Sequence, residues 1–450
     1  MLQLQGFAAL PLLMLVGYAL SSNRRAISWR TVLGALALQF VIAILVLKSG
    51  PVVAVFDFLA MIVARVIGFA DAGVDFLFGK VGNPSGPWGF IFAVRVLPVI
   101  VFFSSLMAVL YHLGVMQRVV AAFAWVLRKS LGITGAEALS ASANIFVGQT
   151  EAPLTVKPYI AGMTRSQLTA IMVGGFATIA GSVMAAYIGM LGEAYGTMMA
   201  TASAAGGEAL SPDAAKTAAA AGKELFAKHL LTASVMSAPA GLLFAKLFVP
   251  ETETPRSESV NALLADERTT TNIVDAAAAG ATDGLKLALN VAAMLVAFVA
   301  LLAMINYPLT ALSQWGPAAD LARTLGLPGF SLDSLLGLIL RPVAWSMGVS
   351  WTDSVGVGGL LGTQVIATEF VAYTRLAEAI QTGTLSPRSA QITTYALCGF
   401  ANVASIGIQI GGLAAMAPER RSDLAALAPR AMLAGALACW MTGAIAGIFI

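Results

Sequence analysis

Apolar runs near residues 4–20, 31–48, 89–113, 167–191, 226–249, 285–306, 389–415 and 430–450 recur along this chain of 450 residues. Each has about the ~20 residues that a helix needs to cross hydrocarbon. With 58% hydrophobic and 11% charged residues and a mean hydropathy of +0.84, the chain reads as a polytopic helical membrane protein. The net charge of +3 is small and its basic residues are dispersed, so nucleic-acid binding is not indicated. Cys398 and Cys439 both lie in apolar runs, which does not describe a disulfide framework. Two histidines, His112 and His229, argue against His-built metal catalysis. The first run is followed by Asn23-Arg24-Arg25, whereas a signal peptide carries its charge before the apolar stretch; a retained first span is expected.

Eight crossings place both termini on one side. Three basic groups fall together on the other: Arg24, Arg25 and Arg30; Arg118, Arg128 and Lys129; Arg420, Arg421 and Arg430. That side is expected to be cytoplasmic and both termini external. Short termini favour a bacterial chain, hence a bacterial inner membrane. The Ala/Gly/Ser-rich segment 193–222 reads as a flexible external loop, and Pro250–Asn272 as a polar cytoplasmic linker. Stretches 51–80 and 117–130 alternate charge with apolar residues and read as amphipathic helices along the interface. As a crossing, the first of these would carry Asp57, Arg65, Asp71 and Asp75 into lipid.

Two regions are too short to cross. Residues 135–163 hold about ten apolar residues before Gly148 and about ten after Pro153, and ten helical residues rise only ~15 Å. A hairpin that turns at mid-membrane fits. Gln149, Thr150 and Glu151 are consecutive, so no single helix face presents all three. Pro153 also disfavours a helical Ala152. Non-helical backbone at that depth must be surrounded by protein or line a water-filled cavity. Residues 338–378 read alike, with Gly356, Gly358, Gly359 and Gly362 before Glu369.

The two hairpins belong to a repeat. Thr150-Glu151 and Thr368-Glu369 are followed by Arg165-Ser166 and Arg388-Ser389. Gly175-Phe176-Ala177-Thr178-Ile179-Ala180 and Gly399-Phe400-Ala401-Asn402-Val403-Ala404 then follow in turn. The number of crossings between the two Gly-Phe-Ala spans is odd, so they run in opposite directions and the hairpins enter from opposite faces. The expected architecture is all-α: eight transmembrane helices plus two opposed re-entrant hairpins in an inverted repeat, with interfacial amphipathic helices. An inverted repeat around a polar midplane site is the layout of a secondary transporter.

Glu151 and Glu369 are the sharpest site candidates, because a carboxylate at membrane depth is costly; the plainer alternative is that they cap broken helix ends. Ionised carboxylates accept hydrogen bonds and suit hydroxyl-rich or amine-bearing ligands. Asn402 and Ser405 share a helix face. Phe400 joins them only if the span unwinds; it then offers a stacking face for a flat ring, and is otherwise core packing. Thr178 is the repeat partner of Asn402, or a hydroxyl bonding back to a helix carbonyl. Asn144, a threonine hydroxyl and freed carbonyls can form an all-oxygen cage for a small hard cation. Arg95 and Arg341 read as structural pairs, and Asp353 is ambiguous. There is no Walker loop, zinc motif or convincing nucleophile motif, so ATP is not expected as the energy source. Three function classes are open on these residues: a carrier, a passive channel and an intramembrane enzyme. The enzyme lacks a metal or nucleophile to accompany its glutamates.

The strings Gly148-Gln149-Thr150-Glu151-Ala152-Pro153-Leu154, Glu369-Phe370-Val371-Ala372-Tyr373 and Cys398-Gly399-Phe400-Ala401-Asn402 closely resemble the concentrative nucleoside transporter family. The last continues to Ser405-Ile406-Gly407-Ile408-Gln409-Ile410-Gly411-Gly412. The match is close over about 88–190 and 270–421. The resemblance implies a homotrimer in membrane lipid whose scaffold holds spans one to three with their interfacial helix (1–116) and the linker with span six (250–330). The moving transport part, working as an elevator, would hold one repeat at 117–249 and the other at 331–450. It implies nucleobase contacts from Gln149, Thr150, Glu151 and Val183, ribose contacts from Glu369, Asn402 and Ser405, and Phe400 against the base. A sodium site would use Asn144, the Val147 carbonyl, Thr178 and the Ile179 carbonyl. No other cofactor is implied, and the function is sodium-driven nucleoside import, with proton coupling as the alternative. Two positions depart from the family motif Gly-x-Lys-x-x-x-Asn-Glu-Phe-Val-Ala: Gln364 replaces the Lys and Thr368 the Asn.

Overall fold

The computed structural model describes residues 2–82, 88, 91–205, 211–255, 270–325, 327 and 329–450. Among them, every regular element is helical. Helices α1 (Leu2–Ala19) and α2 (Trp29–Lys48) make the first two crossings. Pro51 at the first turn then starts α3 (Gly50–Phe78), 29 residues without a break. By length and hydropathy α3 matches the crossing helices. Two of the four charges that argue against a crossing are paired within the protein: Lys228 Nζ lies 2.7 Å from Asp57, and Arg95 Nη1 lies 3.1 Å from Asp71. The expectation that it lies along the interface therefore rests on Arg65 and Asp75 alone, and α3 is long and apolar enough to cross.

The third crossing is α4 (Phe92–Arg95) and α5 (Leu97–His112), joined where Pro98 opens the second piece. Positive-φ glycines, Gly114 and Gly132, bracket α6 (Val115–Leu131). It buries Met116, Val120, Ala124, Leu127 and Leu131, a single stripe, as an interfacial helix should. Hairpin 1 descends as α7 (Gly135–Asn144), opened by a capping box between Thr134 and Glu137. Its returning arm is a 3-10 turn, Ala152–Val156, and the single turn α8 (Lys157–Ile160), because Pro153 and Pro158 deny a full helix its donors.

The fourth span is two helices, α9 (Arg165–Ala177) and α10 (Gly181–Ala205), where the apolar run had read as one. The fifth is α11 (Pro212–Phe248). The expected loop 193–222 is thus corrected: it is helical to Ala205 and again from Pro212, and residues 206–210 lie outside the described residues. Its Ala-rich composition, read as low complexity, is also the best helix former. The expected linker falls partly on 256–269, and the start of the third span on 89–90; both lie outside the described residues.

The sixth span, α12 (Ile273–Ser313), is 41 residues long and is followed by a helix not anticipated, α13 (Gly316–Thr324). Then come α14 (Leu332–Ser346) and hairpin 2, α15 (Ser354–Ile366) with α16 (Glu369–Gln381). The expected bounds 338–378 are corrected: residues 338–346 belong to α14, and Gly348 at φ 94 turns the chain before the hairpin begins. The seventh span is again broken, α17 (Pro387–Ala396) and α18 (Val403–Met416), and α19 (Arg421–Phe449) is the eighth. The order α6, α7/α8, α9/α10, α11 is repeated as α14, α15/α16, α17/α18, α19.

Burial separates two kinds of helix. The apolar stretch of Arg165–Ala204 is 100% buried, against 11% for Ile273–Ser313. The arm α7, hairpin 2, α9, α11, α17 and α19 form the packed interior; α18 buries only Ser405, Gln409, Leu413 and Ala414, and α12 keeps Leu285, Leu289, Val296, Val299 and Met304 exposed along its length.

Candidate functional site

The two helix breaks touch. Thr178 leaves α9 in an extended conformation (φ −129, ψ 168), and Phe400 N donates to its carbonyl at 3.2 Å. Gly399 permits the approach: a Cβ there would lie 2.6 Å from the Phe176 carbonyl oxygen. The turn of hairpin 1 joins them, as Gly181 N at the restart of the fourth span donates to Phe146 O at 3.0 Å. Broken helices leave orphan donors and acceptors, and here three such ends converge inside protein.

Glu369 opens α16, whose N-cap is Thr368 accepting from Val371 N at 3.3 Å. Its carboxylate accepts from Tyr187 OH at 3.1 Å and from Asn402 Nδ2 at 2.7 Å. Asn402 Oδ1 in turn caps α18, accepting from Ser405 N at 2.8 Å. Both helix N-termini therefore face one carboxylate, which their dipoles favour. Tyr187 stacks on Tyr373 with centroids 4.1 Å apart. Sequence reasoning missed Tyr187. The signal was available: a phenol inside the apolar stretch 183–191 needs a partner for its hydroxyl.

On the hairpin 1 side, Gln149 Nε2 donates to Ser405 Oγ at 3.2 Å. Gln409 Nε2 donates to Gln149 Oε1 at 3.1 Å and to Met172 O at 2.9 Å. Gln409 was also missed as a site residue, although it stands in the string that carries the family resemblance.

A cavity of about 850 Å³ opens at these groups, within the range of small-molecule sites. Gln149, Thr150, Glu151, Val183, Phe400, Asn402 and Ser405 all line it. Glu369 is brought to the same place but one layer deeper. Its neighbours Thr368 and Phe370 form the wall, and Asn402 stands between the carboxylate and the space. The opposite wall comes from α5 and α12, with Ser104, Tyr111, Asp283, Lys286 and Asn290.

Asn144 ends α7 and is fully buried. Its Nδ2 donates to Ser140 O at 3.1 Å, and its Oδ1 has no partner among the described residues. An orphaned buried oxygen of this kind fits a hard cation. Thr178 Oγ1 donates to Gly174 O at 2.9 Å, so the back-bonded alternative is what the structure has; the lone pairs of that oxygen remain available. A Cβ at Gly174 would lie 3.0 Å from Asn144 Nδ2, which places Asn144 and the Thr178 turn side by side. Val147 and Ile179 flank them, at the hairpin turn and in the helix break.

The two departures from the motif have local roles. Gln364 Nε2 donates to Leu397 O at 3.2 Å and Gly399 O at 3.0 Å, satisfying carbonyls freed where the seventh span breaks. Thr368 caps as an Asn would. Arg95 also reaches Glu193 at 3.6 Å, and Arg341 stacks on Trp351 at 3.7 Å and donates to Ser354, so both are structural. Asp353 accepts from Ser386 Oγ at 2.6 Å at the base of hairpin 2.

Three family profiles match the chain. Residues 8–81 match the Na+ dependent nucleoside transporter N-terminus, residues 229–447 its C-terminus, and residues 93–194 a nucleoside recognition gate. An uncharacterized transporter of Haemophilus influenzae is 44% identical over 453 residues, covering 99% of this chain and 98% of that one. Solute carrier family 28 member 3 of Homo sapiens is 39% identical over 99% of this chain, which spans 60% of that longer protein. Sodium/nucleoside cotransporter 1 of Mus musculus is 38% identical, with 99% and 64% covered. Among solved structures, CNTnw in an inward-facing substrate-bound state is 40% identical and superimposes with a TM-score of 0.82 over 100% of this chain and 98% of that one.

Proposed function

Because this chain belongs to the concentrative nucleoside transporter family, whose members are transporters and not enzymes, we propose that it imports nucleosides as a sodium-driven secondary active symporter. The observation that carries this reading is that both hairpin tips and both helix breaks converge on one cavity. Gln149, Thr150 and Glu151 meet the nucleobase from hairpin 1, with Val183 and Phe400 against its faces. Asn402 and Ser405 meet the ribose, with Glu369 behind Asn402 as the acceptor that a ribose hydroxyl reaches when Asn402 gives way.

The coupling ion is sodium, held by Asn144 Oδ1, the Val147 and Ile179 carbonyls and Thr178. Its energetic logic is local. Asn144 and Thr178 both belong to the elements that set the hairpin 1 tip, so a cation on the orphaned Asn144 oxygen orders the groups that read the base. Transport follows as an elevator. Both repeats, 117–249 and 331–450, move as a packed unit against 1–116 and 250–330. The cavity lies at that boundary, with α5 and α12 as its static wall. We place the exposed apolar face of α12 in a homotrimer, the protein in a bacterial inner membrane, and both termini outside. Uptake of labelled nucleoside into proteoliposomes, under separately imposed sodium and proton gradients, tests the reading. Concentrative uptake that follows sodium is expected. Uptake that follows protons alone would reassign the ion, and uptake without saturation would make the protein a channel.

A further inference from the structure

We propose that Gln409 is a positioning residue that sets which end of the Gln149 amide faces the nucleobase, and so sets base preference; this rests on the nucleoside reading above. One end of this chain of contacts cannot turn round. The Met172 carbonyl is an acceptor only, and Gln409 reaches it at 2.9 Å. A side-chain oxygen at that distance would face another oxygen, so Gln409 presents its nitrogen there. The same nitrogen lies 3.1 Å from Gln149, which must answer with its oxygen, Oε1. The nitrogen of Gln149 is then turned toward Ser405 Oγ, at 3.2 Å. An amide whose two ends look alike in shape is thus given one orientation by a chain of donors anchored in the backbone of α9.

The surroundings enforce the arrangement. Gln409 is 1% exposed and Gln149 7%. No side chain separates them from α9, because Gly175 lies beneath: a Cβ there would stand 2.6 Å from Gln409 Nε2 and 2.8 Å from Gln149 Cβ. Both protons of Gln409 Nε2 are used, on Met172 and on Gln149. One of the two protons on Gln149 Nε2 goes to Ser405, and the second is free for the cavity that Gln149 lines. Hairpin 1 therefore offers the base an N–H donor two residues from the acceptor Glu151. Ser405 does not oppose a reversal, since a hydroxyl donates as readily as it accepts.

The experiment reverses the chain of donors. In Gln409→Glu, whether or not the new carboxyl is protonated toward Met172, the oxygen facing Gln149 accepts. The Gln149 amide then flips and shows the cavity an acceptor. Gln409→Leu removes the constraint. Uridine and cytidine are the probes, because their pyrimidine edges exchange acceptor for donor at C4. Uptake of each into proteoliposomes is measured for the native chain and both variants, with yield and thermal stability in detergent recorded alongside. The uridine-to-cytidine ratio of uptake efficiencies is expected to move about tenfold in Gln409→Glu, the worth of roughly one hydrogen bond. In Gln409→Leu it should move in the same direction by less. An unchanged ratio, an equal loss of both substrates, or opposite shifts in the two variants would overturn the assignment while leaving the nucleoside reading intact. Adenosine and inosine, whose C6 groups differ in the same sense, replace the pair if the native chain is purine-selective. If it takes up none of the four, the nucleoside reading fails, and this inference with it.

Discussion

Asn402 holds Glu369 across the second repeat, its Nδ2 donating to the carboxylate at 2.7 Å while its Oδ1 caps α18. One side chain therefore satisfies a helix end and partners a buried carboxylate. Tyr187, from the first repeat, completes the shell at 3.1 Å. These two contacts join the proposed ribose subsite to both repeats, so a ligand that displaces Asn402 from Glu369 should also loosen the start of the seventh span's second half.

Glu369→Gln should weaken ribonucleoside binding by roughly 10- to 100-fold, the loss expected for charge-assisted hydrogen bonds. An amide offers one acceptor where the carboxylate offers two. Tyr187→Phe, which removes one donor from the shell, should cost less. Binding isotherms for ribonucleosides and their deoxy analogues check this: the mutant should lose the discrimination between them, and an affinity equal to that of the native chain would remove Glu369 from the ribose subsite.

Sodium dependence should move with Thr178 and Asn144. Thr178→Val keeps the shape of the turn and deletes the oxygen, so the sodium concentration for half-maximal uptake should rise several-fold. Asn144→Leu should raise it further, because it deletes the buried oxygen that has no protein partner. Thr178→Ser should behave as the native chain. The sodium titration of uptake at fixed nucleoside measures all three.

Gly399→Ala should destabilise the fold by about 1–3 kcal/mol, the usual cost of overpacking. The added methyl meets the Phe176 carbonyl, which is backbone and cannot swing aside. Thermal unfolding in detergent should show a lowered midpoint. Gly407→Ala, where nothing lies within 4 Å of the new Cβ, is the control that should leave the midpoint nearly unchanged.

The base of hairpin 2 should be acid-sensitive through Asp353. Partial burial works against its charge, but hydrogen bonds from Ser386, Ser389 and Ser350 outweigh it and hold the carboxyl below its ordinary range. A lowered folded-state pKa contributes stability above the unfolded value, about 3.9, and the contribution fades as pH falls through the folded value. Asp353→Asn should therefore unfold at a lower temperature than the native chain at pH 7, and the gap should close as the pH drops below about 4. Paired melting curves across that range check it. A gap that persists at the acid end would mean that packing, and not the charge, is what the mutant loses.

Much of the architecture was legible because it rests on local patterns. The length of each apolar run, the half-length of the segments around Thr150-Glu151 and the matching strings around Glu369 and Asn402 are one-dimensional quantities, and each found its helix or hairpin. Boundaries were less legible. The Ala-rich residues 193–205 read as loop although alanine favours helix. The sequence pattern starts hairpin 2 too early because α14 is apolar like the hairpin arm and only Gly348 marks the turn between them.

The sequence by itself determined that this chain must cross a membrane many times, that two short segments must turn back within it, and that the carboxylates at their tips must meet protein or a water-filled cavity. Hydrocarbon cannot satisfy backbone or charge, so those conclusions need no coordinates. Only the tertiary structure decided the partners. Tyr187 and Glu369 are 182 residues apart, and Gln149 and Gln409 are 260 apart. Glu369 sits behind Asn402 and not on the cavity wall, and Gln149 is hydrogen-bonded to Gln409 and Ser405 from the opposite repeat. A hydrogen bond needs atoms within about 3 Å and aligned. No spacing along the chain encodes that geometry; it arises when two inverted repeats pack with their broken helices in contact.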